Sequence, residues 1–209
     1  MSFNAFMKEE NLLIVFVKNA KLGHAKTRLA ASIGDQAAFE VYKTLLALTE
    51  RETRSLEGAT IHIYFSSELS EENWAGQTKF VQHGADLGER MRNAFQHGFD
   101  LGFKRIIGVG SDLPDLNQPI MQAGLDALTT NDAVFGPAED GGYYLIGMNR
   151  MIPCIFENKP WSQEELLTVT LHDLKKEGHS VTILQPLNDI DTLEDLRKSS
   201  IAEQFSEYL

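Results

Sequence analysis

Leu12-Leu-Ile-Val-Phe-Val-Lys18, running directly into Asn-Ala-Lys-Leu-Gly-His-Ala-Lys-Thr-Arg-Leu-Ala-Ala-Ser-Ile-Gly34, is the stretch on which the fold turns. Its first part is a near-continuous run of β-branched, aliphatic and aromatic residues, the pattern of a strand buried on both faces. The second part is a long loop carrying Lys18, Lys21, His24, Lys26 and Arg28 with no acid among them. A connection this long after a strand exceeds the few residues usually needed, and such loops commonly carry function.

Outward from this stretch, strands alternate with helices. Asp35 is placed to cap a helix in which Ala38, Val41, Tyr42, Leu45 and Leu48 recur at helical spacing. Strands are expected over Thr60 to Phe65, Lys79 to Gln82 and Arg105 to Gly110. Leu87 to Leu101 reads as a helix closed by Gly102, and Asn117 to Leu128 as another. Asp132 to Phe135 and Gly142 to Met148 read as strands, the second directly after a tight turn. Ser162 with Glu165 forms a capping-box pattern opening a helix that Gly178 can close. Val181 to Leu184 is a last short strand, and Asp191 with Glu194 is placed to cap the final helix. The alternation predicts an α/β fold, with a mostly parallel sheet covered on both faces. No repeat or linker divides residues 1–209, so one domain is expected.

Composition narrows the class. Formal net charge is −11, from 19 basic and 30 acidic residues, which disfavours nucleic acid and anionic membrane as partners. The acid-free cationic loop then suggests a small anionic ligand, its plain alternative being a solvated surface loop. No apolar run approaches the roughly 20 residues that span a bilayer. Met1 to Glu10 carries a single Lys8 and no long apolar stretch, so no secretory signal is expected. Cys154 is the one cysteine, which excludes an intrachain disulfide and a paired-cysteine metal site. A cytoplasmic location follows as the expectation, and oligomeric state is left open.

Four segments carry candidate chemistry. The first loop is neither a Walker A sequence nor a dinucleotide turn, but it supplies what a polyphosphate needs. Gly23 permits close backbone approach, Lys18 and Lys26 are point charges, and Arg28 is a bidentate fork. Gly108-Val-Gly-Ser-Asp-Leu-Pro-Asp115 places Asp112 where a central strand leaves the sheet, stopped by Pro114. A carboxylate there suits Mg²⁺, which takes one or two carboxylates plus substrate phosphates. Capping of the next helix is the competing role for Asp112 or Asp115. In Asp189-Ile-Asp191, alternation points both carboxylates the same way as a second metal-ligand position, while Asp191 also fits a helix cap. Gly136-Pro-Ala-Glu-Asp-Gly-Gly-Tyr-Tyr144 holds Glu139 and Asp140 ahead of two glycines and two tyrosines. It reads as a tight turn, or as a pocket where an acceptor hydroxyl is held and deprotonated. Asp86 and Arg90, at a strand-to-helix passage, either line a base pocket or simply start a helix, and Trp161 is either core or a ligand platform. The six histidines form no HExxH pair, so zinc is not expected, and no GxSxG nucleophile elbow occurs.

Taken in order, VKNAKLGHAKTRLA, QHGADLGERM, GSDLPDL, GPAEDGGYYLIGM and DIDTLEDL resemble the bacterial family of uncharacterised glycosyltransferase-like proteins in the nucleotide-diphospho-sugar transferase superfamily. The usual proline of the first motif is Ala20 here. The KTRL segment is also similar to phospholactate guanylyltransferases, and the chain's ending resembles molybdenum-cofactor nucleotidyltransferases. The resemblance implies a GT-A-like, Rossmann-type three-layer α/β/α sandwich with a nucleotide at the first loop. Lys26 and Arg28 would face its phosphates, Asp112 would hold the metal, and Asp189 or Asp191 would complete that site. The Asp-x-Asp of many glycosyltransferases is missing, since Leu113 and Pro114 follow Asp112.

The expected activity is transfer from a nucleotide-sugar to a small acceptor with Mg²⁺ or Mn²⁺, Asp140 or Glu139 deprotonating the acceptor. Nucleotidyl transfer from a nucleoside triphosphate with loss of pyrophosphate is the alternative enzyme. A non-catalytic nucleotide-binding module is a third reading, disfavoured by the several carboxylates at strand ends.

Overall fold

The computed structural model describes residues 9–19 and 21–209. The readings of the N-terminal segment and of Ala20 fall partly or wholly outside these residues. β1 (Asn11–Val17) alternates its side chains between two layers. Leu13, Val15 and Val17 join Tyr42 and Leu46 of α2 (Asp35–Arg54) and Met121 and Leu125 of α4 (Gln118–Ala127). Leu12 and Ile14 join Met91 and Phe95 of α3 (Leu87–Asp100) and Leu174 of α5 (Leu166–Lys176). A strand apolar on both faces therefore builds two cores, one on each side of the sheet. Each large side chain so buried contributes roughly 1.5–3 kcal/mol of transfer free energy.

The remaining strands are β2 (Ala59–Phe65), β3 (Thr78–Val81), β4 (Arg105–Val109), β5 (Ala133–Pro137), β6 (Tyr143–Met148) and β7 (Val181–Ile183). Their order is β3-β2-β1-β4-β6-β5-β7. All pairings are parallel except those of β6, which runs antiparallel to β4 and β5. The physical reason lies in the connection from β5 to β6. Five residues cannot make a parallel crossover, so the chain must double back. Ala138 N–H donates to the Gly142 carbonyl at 3.1 Å, and Gly142 N–H to Asp140 Oδ1 at 2.9 Å.

Helix boundaries differ from the sequence reading in four places. The first loop is not loop throughout: Thr27–Ile33 forms α1. Leu29 is its single buried residue, so no apolar stripe announced it. Asp35 is inside the first turn of α2, where its charge favours the positive helix end, and Gly34 at φ 86° is the cap. Ser162 and Glu165 make no capping box. Ser162 lies in a turn at φ 62°, and α5 begins at Leu166 without a side-chain cap. The last helix, α6 (Leu193–Lys198), is capped by Thr192 with Asp195 in a reciprocal box, one residue beyond Asp191 and Glu194. That shift leaves Asp191 free of capping. α1 and α6 pack on the outer face of α2 through Leu29, Val41, Leu45 and Leu196. No helix among the described residues is long and apolar enough to cross a membrane.

Candidate functional site

The carboxyl ends of the parallel strands leave a cleft between the chain after β1, the chain after β4 and the segment from β7 to α6. Lys26 lies at its floor. It is the residue immediately before α1 and adopts the left-handed backbone conformation, φ 48° and ψ 53°. For a lysine that conformation costs about 1–3 kcal/mol and persists only where its surroundings demand it. Here Nζ bridges two carboxylates, 3.0 Å from Asp112 Oδ2 and 3.0 Å from Asp191 Oδ1. The side chain is 6% exposed, against 39% for Asp112 and 46% for Asp191. Burial alone would lower the lysine pKa. The two carboxylates outweigh it, so the pKa is raised and the ammonium charge is secure.

Asp112 leaves the sheet three residues beyond β4, after Gly110 and the buried Ser111. Ile190 is buried with α2 and α6 residues, and of its neighbours Asp191 lines one cavity and Asp189 another, each together with Asp112. Asp189 is pushed up to about 6, first by burial and then by the charges of Asp112 and Asp191, with Asp140 adding to them and Lys26 opposing. Carboxylates therefore exceed the cations that face them.

Two cavities meet at this cluster, sharing Gly110 and Asp112 as a common wall. The first, about 390 Å³, is lined by Lys18, Lys26, Arg28, Tyr42, Asp112 and Asp191, with other residues of the first loop. The second, about 220 Å³, contains Asp112, Asp140, Asp189, Tyr143 and Trp161. Arg28 is 77% exposed, with Nη1 4.0 Å from Asp191 Oδ2, so its fork is open to a ligand. Tyr42 donates its hydroxyl to the Lys18 carbonyl, tying α2 to the loop, and burial raises its pKa to about 12. Sequence reading placed Tyr42 on the buried helix face only. A phenol on an apolar stripe was the available signal, because its hydroxyl must find a partner.

The other candidates fall elsewhere or have a second duty. Gly23 is in the loop at φ 77° but outside both cavity walls. Asp86 caps α3, accepting from Glu89 N–H at 2.8 Å, and Arg90 Nε donates to the Gly84 carbonyl at 3.1 Å. Neither lines the two cavities. Glu139 is exposed on the β5–β6 turn, outside both walls, whereas Asp140 lines the second cavity while its Oδ1 holds that turn.

The donor set suits a hard divalent cation. Asp112, Asp189 and Asp191 do not close into a compact three-donor cage. Their oxygens are of the kind Mg²⁺ takes, one or two carboxylates alongside substrate phosphates. A compact mixed cluster lies elsewhere, where Cys154, Glu177 and His179 bring ligand atoms within 4.8 Å of one another. No local spacing in the sequence reveals it. Burial and the neighbouring Glu177 push the Cys154 thiol up to about 11, keeping it protonated.

The sheet order, the lone antiparallel strand and the polar cleft at the carboxyl edge define a GT-A-like, Rossmann-type fold. The chain belongs to the family described as "Uncharacterized protein conserved in bacteria (DUF2064)", which matches residues 36–163. A protein from Desulfovibrio desulfuricans G20, provisionally described as a nucleotide-diphospho-sugar transferase, is 31% identical over 96% of this chain and 95% of its own, with a TM-score of 0.87. The 4-diphosphocytidyl-2C-methyl-D-erythritol synthase of Anaerococcus prevotii DSM 20548 shares the fold at 11% identity and a TM-score of 0.61, covering 93% and 99% of the two chains. CMP:2-keto-3-deoxy-manno-octonic acid synthetase, complexed with CTP, does so at 11% and 0.56 over 95% and 99%. These last two likenesses concern fold alone. No curated protein matches the sequence significantly.

Proposed function

We propose that this protein is a transferase that uses a nucleoside-diphosphate sugar and a divalent cation, Mg²⁺ or Mn²⁺, to glycosylate a small acceptor in the cytoplasm. One observation carries the reading: Lys26 is strained and buried between Asp112 and Asp191, where the cationic cavity meets a carboxylate-lined one. The nucleotide's phosphates lie along Lys18, Lys26 and the exposed Arg28. Asp112, with Asp189 or Asp191, would hold the cation, which adds positive charge opposite the departing diphosphate.

The acceptor enters the second cavity with its hydroxyl at Asp140. The hydroxyl proton passes to the Asp140 carboxylate as the acceptor oxygen bonds to the anomeric carbon. The bond from that carbon to the phosphate oxygen breaks, and its electron pair leaves on the nucleoside diphosphate. Lys26 stabilises the charge that develops there, within a site shaped in advance. Glu139, exposed beside Asp140, is the less well-placed base.

Nucleotidyl transfer with loss of pyrophosphate is the second reading, favoured by the CTP-bound synthetase among the fold relatives. Against it, no Lys or Arg among the described residues lines the second cavity, where a phosphorylated acceptor would need side-chain cations. The deciding assay incubates the enzyme and Mn²⁺ with nucleotide-sugars or nucleoside triphosphates plus a mixed acceptor extract, measuring nucleoside diphosphate and pyrophosphate separately. Diphosphate from a nucleotide-sugar is expected. Acceptor-dependent pyrophosphate from a triphosphate, with no diphosphate from any sugar donor, overturns glycosyl transfer.

A further inference from the structure

We propose that the second cavity seats an uncharged polyhydroxylated ring against the indole of Trp161; the proposal deepens the functional reading above and rests on it. Trp161 is only partly buried and packs against the core on the α3 and α5 side of the sheet. A Cβ on Gly88, in the first turn of α3, would meet Cε2, Cζ2 and Nε1 of the indole at 2.5 Å. Only glycine lets the ring lie this close to the helix. The chain then leaves Trp161 through Ser162 at φ 62°, with Gln163 N–H donating to the Pro160 carbonyl at 3.2 Å.

The same segment is joined to the turn that holds Asp140. Leu167 N–H donates to the Gly141 carbonyl at 3.1 Å, and a Cβ on Gly141 would lie 2.0 Å from the Glu164 carbonyl oxygen. Behind it, buried Lys159 is ion-paired with Asp173. The segment carrying Trp161 and the turn carrying Asp140 are thus held together by direct backbone contacts.

The lining chemistry selects the occupant. Leu87, Met91, Tyr143 and Trp161 supply apolar and aromatic surface, and Asp112, Asp140 and Asp189 supply hydrogen-bond acceptors. Leu87 is 46% exposed at the rim. Hydroxyls satisfy carboxylates, and the C–H face of a sugar ring suits an aromatic face. Among the described residues no Lys or Arg lines this cavity, so an anionic occupant finds no side-chain cation there to pair with. At about 220 Å³ the cavity is below the roughly 300 Å³ of most drug-sized sites, which fits a single ring.

Such a ring comes either from the donor's own sugar or from the acceptor, and tryptophan emission separates the sources. Trp74 is fully buried among Thr53, Leu46 and Leu56 and serves as an internal reference. Wild type and Trp161→Phe are titrated, with Mn²⁺, against nucleoside diphosphates of uracil, guanine and cytosine, their hexosyl conjugates, free neutral monosaccharides and the corresponding hexose phosphates. An emission change in wild type, absent in Trp161→Phe, is expected with a nucleotide-sugar beyond that of its diphosphate if the donor's ring is the occupant. The same change with a free monosaccharide identifies the acceptor. By calorimetry, Trp161→Ala should bind the responsive ligand roughly tenfold more weakly, and Trp161→Phe within threefold of wild type. Should the alanine variant fail to fold, the phenylalanine comparison still decides.

If nucleotides bind and no neutral sugar in either arm perturbs Trp161, the proposal is overturned. A hexose phosphate that perturbs it more than its neutral counterpart overturns it equally. Failure of every nucleotide to bind removes the functional reading, while the monosaccharide arm still judges the ring subsite.

Discussion

Asp132 and Asp189 lie beyond opposite ends of the neighbouring parallel strands β5 and β7, and their surroundings treat the same carboxyl group in opposite ways. Asp132 precedes β5 at its amino end. It accepts from Ser180 N–H at 2.9 Å, from the Ser180 hydroxyl at 3.0 Å and from Arg150 Nη1 at 2.6 Å. These partners, the Ser180 backbone first, hold it down at about 2. Asp189 lies beyond the carboxyl end of β7 and is pushed up to about 6 by burial and by other carboxylates. Asp132 has its partners within the protein, whereas Asp189 faces other carboxylates, with Lys26 opposing them. Perturbed carboxyls of this kind cluster at functional sites, which supports the proposal that ligands bind at the carboxyl edge.

The comparison breaks most decisively at Asp112. Asp112→Asn is expected to lower metal-dependent turnover by about 100- to 1000-fold, with the midpoint of thermal unfolding nearly unchanged. Turnover that survives with its metal dependence intact would detach the cluster from catalysis. Next in size is Lys26→Met, which should weaken nucleoside diphosphate binding by roughly 10- to 100-fold, equivalent to about 1.5–3 kcal/mol. Arg28→Ala should have a smaller effect in the same direction, since Arg28 is exposed and its contacts are screened. Calorimetric titration with Mn²⁺ measures both, and unchanged affinities would return the loop to a solvated surface.

The amino edge should respond in folding alone. Asp132→Asn is expected to cost about 1 kcal/mol at neutral pH, after allowing for solvent screening of a side chain that is 20% exposed. The folded pKa is depressed to about 2, so this stabilisation is present above the unfolded value near 4. It is lost as pH falls from about 4 toward 2, where wild type and variant should converge in urea unfolding. Nucleotide affinity should not move. The smallest effect is expected of Asp189→Asn, which relieves repulsion and should stabilise the metal-free protein by about 0.5 kcal/mol. Mn²⁺ should then raise the thermal midpoint less in this variant than in wild type, and an equal rise would remove Asp189 from the cation's ligands.

Much of this contrast was legible in local sequence, and the illegible part has definite causes. The β1 run and the Gly-Ser-Asp after β4 identify a buried sheet and a carboxylate at its edge, because strand burial and chain breaks are written in neighbouring residues. Capping was read one residue early at Asp191, since both Asp191/Glu194 and Thr192/Asp195 satisfy the pattern and only the chain's path selects the second. Asp86 reads as either pocket-lining or helix-starting, because an aspartate before a helix looks the same in either role, and the structure makes it the cap of α3. α1 was hidden by burying a single residue.

The sequence by itself determined the alternation of strands and helices, the position of Asp112 at a strand end and the cationic first loop, all of which depend on residues within about a dozen positions of one another. Only the tertiary structure decided that Lys26 joins Asp112, 86 positions away, with Asp191, 165 positions away. It likewise decided that Trp161 rests on Gly88 and that Asp189 is crowded while Asp132 is satisfied. Charge coupling and close packing act through space at a few ångströms, and no local pattern in a chain records which distant residues folding will bring within that range.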